Sequence, residues 1–277
     1  MTIWRSVGWF DARDARIWQI VSLSLLLTYG IVQLGFDQPP FSAALIIATA
    51  LCTQWACGRW VGLNTFDPLS PLITGLSLSI LLRANDPLWL ALAAMLAIAS
   101  KFLLRADGKH VFNPANFALA VMLLATDAAW ISPAQWGSAT WAAFLFVSLA
   151  VLVLSRAKRG DIAIAFLAAY VAILFVRAFY LGDPLAIPIK QMQSGSVLLF
   201  AFFMISDPKT TPDRRSLRIV YAVLVAALAA TIQFALYRPQ GLVLALFCLS
   251  PLVPLLDRLV RRERPDGRFQ WSNPLLN

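Results

Sequence analysis

Apolar residues in this chain fall in long blocks separated by short polar segments. Blocks of about 20 residues lie near 17–36, 41–60, 86–104, 115–130, 139–157, 161–181, 217–236 and 240–259. Two shorter blocks, rich in small or helix-breaking residues, lie near 69–84 and 194–206. A helix needs about 20 apolar residues to cross a bilayer's hydrocarbon core of about 30 Å. The pattern predicts an all-α polytopic membrane protein with about ten transmembrane helices, two of them short or broken. Arg5, Arg13 and Arg16 precede the first block, and no small-residue cleavage site follows it. The block is therefore expected to be the first spanning helix rather than a removed signal.

The polar connections give a direction. Asp37–Pro40 and Asp127–Gly137 carry no Lys or Arg. The intervening connections hold Arg105 and Lys109, then Arg156, Lys158 and Arg159, then Lys209, Arg214 and Arg215, and the C-terminal segment adds Arg258, Arg261, Arg262, Arg264 and Arg268. Basic loops stay on the cytoplasmic side. Ten spans in an inner membrane with both termini cytoplasmic satisfy that rule throughout, and one span more or fewer breaks it.

Two punctuation marks recur in the same order. The third block ends in Asn85-Asp86-Pro87 and the eighth in Ser206-Asp207-Pro208. The fifth opens on Phe112-Asn113-Pro114-Ala115-Asn116-Phe117, and the tenth on Tyr237-Arg238-Pro239-Gln240-Gly241-Leu242. The Asp-Pro pairs are 121 residues apart and the aromatic-x-Pro elements 125 apart. Each mark alone is ordinary helix punctuation, since proline suits a first helical turn and blocks continuation at an end. Their shared order predicts one membrane domain over 1–277 made of two five-helix repeats, 1–130 and 131–277. Five spans is an odd number, so the repeats are expected to be inverted, with sites on broken helices between them.

Composition supports the membrane reading. The chain is 60% hydrophobic and 13% charged, against roughly 45–50% and 25% in soluble domains, and its mean hydropathy is +0.72. The net charge of +9 sits in short loops that meet anionic headgroups, with no basic patch interleaved with aromatics, so nucleic acid is not an expected partner. Cys52, Cys57 and Cys248 lie in apolar blocks without a CxxC pair. They argue against a disulfide framework or an iron–sulfur cluster. A single histidine, His110, excludes a haem with two histidine ligands from this chain and leaves no Ser/His/Asp set. No catalytic residues and no metal ligands are predicted.

Polar residues at block edges are the candidate chemistry. Gln193-Ser194-Gly195-Ser196 opens the eighth block. Free amides at such a start offer an anion or polar-ligand site, whereas small residues there also allow close helix packing. Asp86 and Asp207 are candidates for an ion or polar pathway, because a carboxylate near the bilayer is costly and often functional. The alternative for each is a cap in water. Asn113 and Asn116, three apart, share a helix face if the helix begins at Pro114. Their amides suit a flavin edge or a cation shell, and an Asn cap before Pro is the plainer account.

These stretches resemble a known family. Lys109-His110-Val111-Phe112-Asn113-Pro114-Ala115-Asn116-Phe117 resembles the "KHIFNPA" element of the RnfD/NqrB family. The stretch from Ser194 through Asp207-Pro208 resembles its "SGGLLLGAFFMATDPVTSP" element, and Pro239-Gln240-Gly241 to Pro254-Leu255-Leu256-Asp257-Arg258 its "PEGVAFAILLMNALTPLIDR" element. The resemblance covers most of the second half and the end of the first. It implies a membrane subunit of a flavin-containing redox complex, with partner redox subunits, coupled to Na⁺ or H⁺ movement. It also implies ten spans in two inverted halves, covalent FMN on a Thr of an S-G-A-T motif, and a second, noncovalent flavin.

This chain departs from the family at S-G-A-T. The nearest string is Gly137-Ser138-Ala139-Thr140, with Ser and Gly reversed, and the preceding loop is too short for the family's usual insertion. Thr140 is therefore not expected to carry covalent FMN. The expected cofactor is a noncovalent flavin, FMN or riboflavin, at Asn113, Asn116, Ser194, Gly195, Ser196, Asp207, Lys209 and Thr210. Two other functions fit the same pattern: a transporter or channel for a small solute or ion without redox work, and an accessory or assembly membrane protein.

Overall fold

The computed structural model describes residues 14–132 and 160–261. The sixth apolar block and the Gly137–Thr140 string fall outside the described residues. The other nine blocks are helical. They form α1 (Ala15–Val32), α2 (Pro40–Trp60), α3 (Leu69–Leu81), α4 (Pro87–Leu103), α5 (Pro114–Ala125), α6 (Gly160–Leu181), α8 (Gly195–Leu199, continued by a π turn over Phe200–Met204), α9 (Arg215–Phe234) and the pair α10 (Gly241–Leu249) and α11 (Leu252–Arg261). A seven-residue helix, α7 (Ala186–Met192), lies between α6 and α8.

Among the described residues, four helices are long and apolar enough to cross a membrane: α1, α2, α6 and α9. The α10–α11 pair, bent by 42°, makes a fifth if taken as one span. Leu25, Val32, Phe41, Trp60, Ile164, Val176, Phe179 and Leu236 stand exposed on the outside of the bundle. Apolar surface on this scale marks a face that meets lipid. The chain is a multi-pass membrane protein.

Side-chain chemistry explains the helix ends. Asp86 caps α4, its carboxylate accepting from Leu88 N at 2.7 Å, with Pro87 in the first turn. Asn113 caps α5 in the same manner through Asn116 N at 3.1 Å. The fifth block was expected to stay helical to 130, and it stops earlier. Thr126 turns extended, and its hydroxyl accepts from Ala128 N at 2.9 Å, a local bond that competes with the helix.

Two short antiparallel ribbons also replace parts of the expected all-α pattern. β1 (Leu82–Ala84) pairs with β4 (Ala129–Ile131), and β2 (Arg105–Ala106) pairs with β3 (Lys109–His110). Backbone groups beyond a helix end in an apolar setting must find partners. The first ribbon supplies them, with Asn85 N bonding Ala128 O at 2.9 Å and Ser132 N bonding Leu81 O at 2.7 Å.

The bundle has two ends. At the basic end lie the starts of α1, α3, α5, α6 and α9 and the last turns of α4 and α11, joined by Arg16–Asp67, Lys101–Ser70, Lys109–Asp257 and Arg218–Asp161. At the opposite end lie the starts of α2, α4 and α10. α2 and α4 pack side by side and run parallel, and so do α6 and α9, in the reverse direction. α4 packs on α5 as α9 packs on α10, and α5 meets α10 at the seam.

Fully buried Ala93, Ala94 and Ala97 on α4, and Ala222, Ala226 and Ala229 on α9, let neighbouring backbones approach. Gly241 is required where α10 packs on α9, because a Cβ there would meet the Ala229 carbonyl oxygen at 2.5 Å.

Candidate functional site

The seam at the basic end is built from three stretches. α4 ends in Ser100-Lys101, the β2–β3 ribbon leads into Asn113, and the chain leaves the π turn through Ser206-Asp207-Pro208. The π turn closes with Ile205 N bonding Phe200 O at 2.9 Å, a wider winding that is frequent at functional sites. It delivers Asp207 to Asn113, whose Nδ2 donates to Asp207 Oδ2 at 3.2 Å. The other carboxylate oxygen accepts from Lys209 N at 3.0 Å, and the Thr210 hydroxyl reaches Asp207 O at 3.4 Å. One turn into α5, Asn116 is fully buried, with Nδ2 donating to Val243 O of α10 at 3.2 Å. Phe112 stacks on Phe247 at 5.1 Å between ring centroids and closes the seam.

Electrostatics at this corner follow from burial. Loss of water pushes the Asp207 carboxyl up, opposed by the Lys209 amide, the Lys209 and Lys101 charges and the Asn113 amide. Burial pulls the Lys209 ammonium down, with Asp207 opposing. Burial also holds His110 well below its ordinary value, helped by the charges of Lys101, Lys209 and Arg105, so its ring is neutral near pH 7. Three buried side-chain atoms on the facing stretches lack a hydrogen-bond partner: His110 Nδ1, Asn116 Oδ1 and Thr211 Oγ1.

The predicted residues divide into three places. Asn113, Asn116, Asp207, Lys209 and Thr210 come together. Ser194, Gly195 and Ser196 do not join them. They open α8, 11 to 13 residues before Asp207, which at about 1.5 Å per residue is roughly 16–20 Å along a helix. There Ser194 Oγ and Ser196 Oγ lie 2.8 Å apart. Asp86 lies at the opposite end of the bundle as the cap of α4.

The profile of the NQR2, RnfD, RnfE family matches residues 126–265, half of the chain. The chain belongs to this family. The segment that matches the family profile includes Ser194–Thr210 and begins after Asn113 and Asn116. The chain is similar to bacterial proteins whose names make each of them one subunit of an ion-translocating oxidoreductase complex. That of Stutzerimonas stutzeri is 38% identical over 85 residues, covering 31% of this chain and 24% of the relative. That of Psychromonas ingrahamii is 29% identical over 136 residues, covering 48% and 39%. That of Citrobacter koseri is 28% identical over 127 residues, covering 46% and 35%. The aligned stretches thus span well under half of each relative's length.

A flavin of the kind the family implies can be tested against the side chains of the seam. Asn116 Oδ1 and His110 Nδ1 are buried acceptors without a donor, and the Thr211 hydroxyl can serve either way. Two acceptors and a hydroxyl match a heterocycle edge carrying N–H and C=O groups. Asn113, Asn116, Asp207, Lys209 and Thr210 would hold it, with Ser194–Ser196 at the far end of α8. Thr140 lies outside the described residues.

The sequence reading did not assign Lys101, Asp213 or Asp257 to this region. Lys101 is 5% exposed in an apolar helix, and its Nζ donates to Gln54 Oε1 at 2.8 Å and Ser70 Oγ at 2.9 Å. A lone lysine inside a spanning block is itself a functional flag. Lys109 pairs with Asp213 at 2.5 Å and Asp257 at 2.8 Å, and Asp213 N donates to Asp257 Oδ1 at 2.9 Å. Those carboxylates lie far from Lys109 in sequence, and although Asp257 stands in the closing family element, nothing local ties it to Lys109.

Proposed function

We propose that this chain is a membrane subunit of an Rnf-type electron-transfer complex that holds a noncovalent flavin, FMN or riboflavin, at the basic-end seam. The observation that carries the reading is the Asn113–Asp207 contact flanked by unpartnered buried polar atoms. The names of the relatives support the complex. When bound, the flavin supplies the acceptance and release of electrons.

The chain's own residues do the rest. Asn113 and Asp207 fix the corner, since each uses one oxygen to order a backbone turn and the remaining group to join the two stretches. Asn116 presents an acceptor from a fully buried position. Phe112 and Phe247 exclude water from the side facing α10. The neutral His110 ring adds an acceptor without adding positive charge.

In this reading the two halves are inverted repeats of five spans each, ten in all. The support is the reversed direction of the parallel pairs α2–α4 and α6–α9, and the antiparallel meeting of α5 with α10. The basic end faces the cytoplasm of an inner membrane, both termini lie there, and partner redox subunits dock to the complex. Coupling to Na⁺ or H⁺ movement is the furthest part of the reading and rests on the relatives' ion-translocating names.

The test is purification of the full chain in mild detergent. Yellow protein with flavin absorbance, released as fluorescence on denaturation and lost in Asp207→Ala, is the expected result. Protein that is colourless, and stays so after incubation with FMN or riboflavin, overturns it.

A further inference from the structure

At the opposite end of the bundle, the α1–α2 connection, β1 and the first turn of α4 enclose a cavity of about 200 Å³. Its lining includes Asp37, Gln38, Ser42, Arg83, Leu90 and Trp130. Arg83 is 5% exposed, and its guanidinium is only partly used. Nη1 donates to Leu82 O at 2.8 Å and Ser79 O at 3.1 Å, closing the carbonyl end of α3. That is an ordinary helix-end role, and it leaves Nη2 buried without a partner. The amide nitrogen of Gln38, a residue 2% exposed, is likewise buried without a partner.

Two residues that each carry a buried, unpartnered donor, one of them cationic, thus line one cavity. Burying an unpaired charge is among the most costly arrangements a protein can hold. Among the described residues no carboxylate pairs with Arg83, and the negative charge that acts on it is that of Asp37, exposed at the rim. Leu90 and Trp130 give the cavity an apolar side.

We propose that this cavity is a binding site for an oxyanion, a phosphate or carboxylate group, held by Arg83 Nη2 and the Gln38 amide with the Ser42 hydroxyl beside them. A planar guanidinium edge matches the paired oxygens of such a group. The apolar side accepts the carbon attached to it. The source is either a small free anion or the phosphate of a lipid headgroup at this face of the bilayer. The site is independent of the flavin seam, which lies at the other end.

The experiment is thermal unfolding of the full chain in detergent, titrated at constant ionic strength. The probes are inorganic phosphate, acetate, and phosphatidylglycerol in mixed micelles. A saturable rise in melting temperature is expected. A rise with phosphate or acetate alone identifies a small free anion, and a rise only with phosphatidylglycerol identifies the headgroup. Arg83→Met should weaken binding by about tenfold or more, the usual weight of a charge-assisted hydrogen bond.

Asp37→Asn, an exposed change that leaves the fold intact, should tighten binding by about three- to tenfold, because it removes the opposing rim charge. That variant keeps the proposal open to refutation if Arg83→Met does not fold. No saturable shift with any probe, or an affinity unchanged in Asp37→Asn, overturns the site.

Discussion

The two Asp-Pro corners begin alike and end differently. Asp86 follows α3 and Asp207 follows α8, and each carboxylate accepts from the amide two residues on, Leu88 N at 2.7 Å and Lys209 N at 3.0 Å. The local turn is the same because the dipeptide dictates it. Asp86 is exposed, and capping is the hydrogen bonding shown for its carboxylate. Asp207 is half-buried and spends its second oxygen on Asn113, a residue 94 positions earlier. A motif shared by two places fixes a backbone shape. Function depends on what the rest of the fold brings to the spare atoms.

The sharpest way to break the difference is to remove what holds the second corner closed. Asp257 is 3% exposed and binds both Lys109 Nζ and Asp213 N, clamping the 207–214 loop against the start of α5. Asp257→Ala leaves Lys109 short of a buried partner, and breaking such a pair costs about 3–5 kcal/mol. A large drop in melting temperature in detergent is expected, with loss of any bound flavin. The first corner has no such clamp among the described residues.

Next in size is Asp207→Ala. It leaves Asn113 Nδ2 without its acceptor, at about 1–3 kcal/mol for an unsatisfied buried group. Asp86→Ala removes a cap alone, at about 1 kcal/mol or less. Melting temperatures of the two variants should fall in that order, and equal losses would erase the distinction drawn above.

The corners also differ in their response to acid. His110, beside the second corner, has its proton affinity lowered by burial and by Lys101, Lys209 and Arg105. The folded chain therefore binds its proton less readily than the unfolded chain does, and the stabilisation from a neutral His110 is present above pH 6.5 and lost as pH falls below it. Asp207 contributes with the opposite sign, because its carboxyl is pushed up: its contribution favours the folded chain at low pH and fades as pH rises above the ordinary carboxylate value of 3.8. Melting temperature measured from pH 7 to pH 5 should decline in the wild type. His110→Gln should flatten that decline, and an unchanged slope would remove His110 from the account.

Much of this was legible in the sequence because the controlling interactions are local. Asp86 before Pro87 and Asn113 before Pro114 announce their caps, and block length announces the helices. The repeated punctuation pairs Asp86 with Asp207, and it is the flavin expected between the halves that put Asn113 and Asp207 in one site. Three things were not legible. Ser194–Ser196 share a block with Asp207, and only the rise of a helix shows that sharing a block means standing at opposite ends of it. The stop of α5 at Thr126 depends on a ribbon partner in another block. Arg83 and Gln38 are separated by 45 residues and two helices, and nothing in either neighbourhood predicts that both will face one cavity.

The smallest expected effect makes the finest test. Asparagine caps a helix as well as aspartate does, so Asp86→Asn should change stability by less than about 0.5 kcal/mol, as exposed substitutions do. The same swap at Asp207 cannot be neutral. An amide there keeps one oxygen, and Lys209 N already claims an oxygen at that position. The new NH₂ group would then face the NH₂ of Asn113, donor against donor. Asn113 cannot turn its amide over to compensate, because its oxygen caps α5 through Asn116 N. One of three bonds must go, at about 1 kcal/mol. An identical chemical change that is silent at one corner and costly at the other would show that the two turns differ in their tertiary partners and not in their local structure. Equal melting temperatures for Asp86→Asn and Asp207→Asn would place the second carboxylate outside the seam altogether.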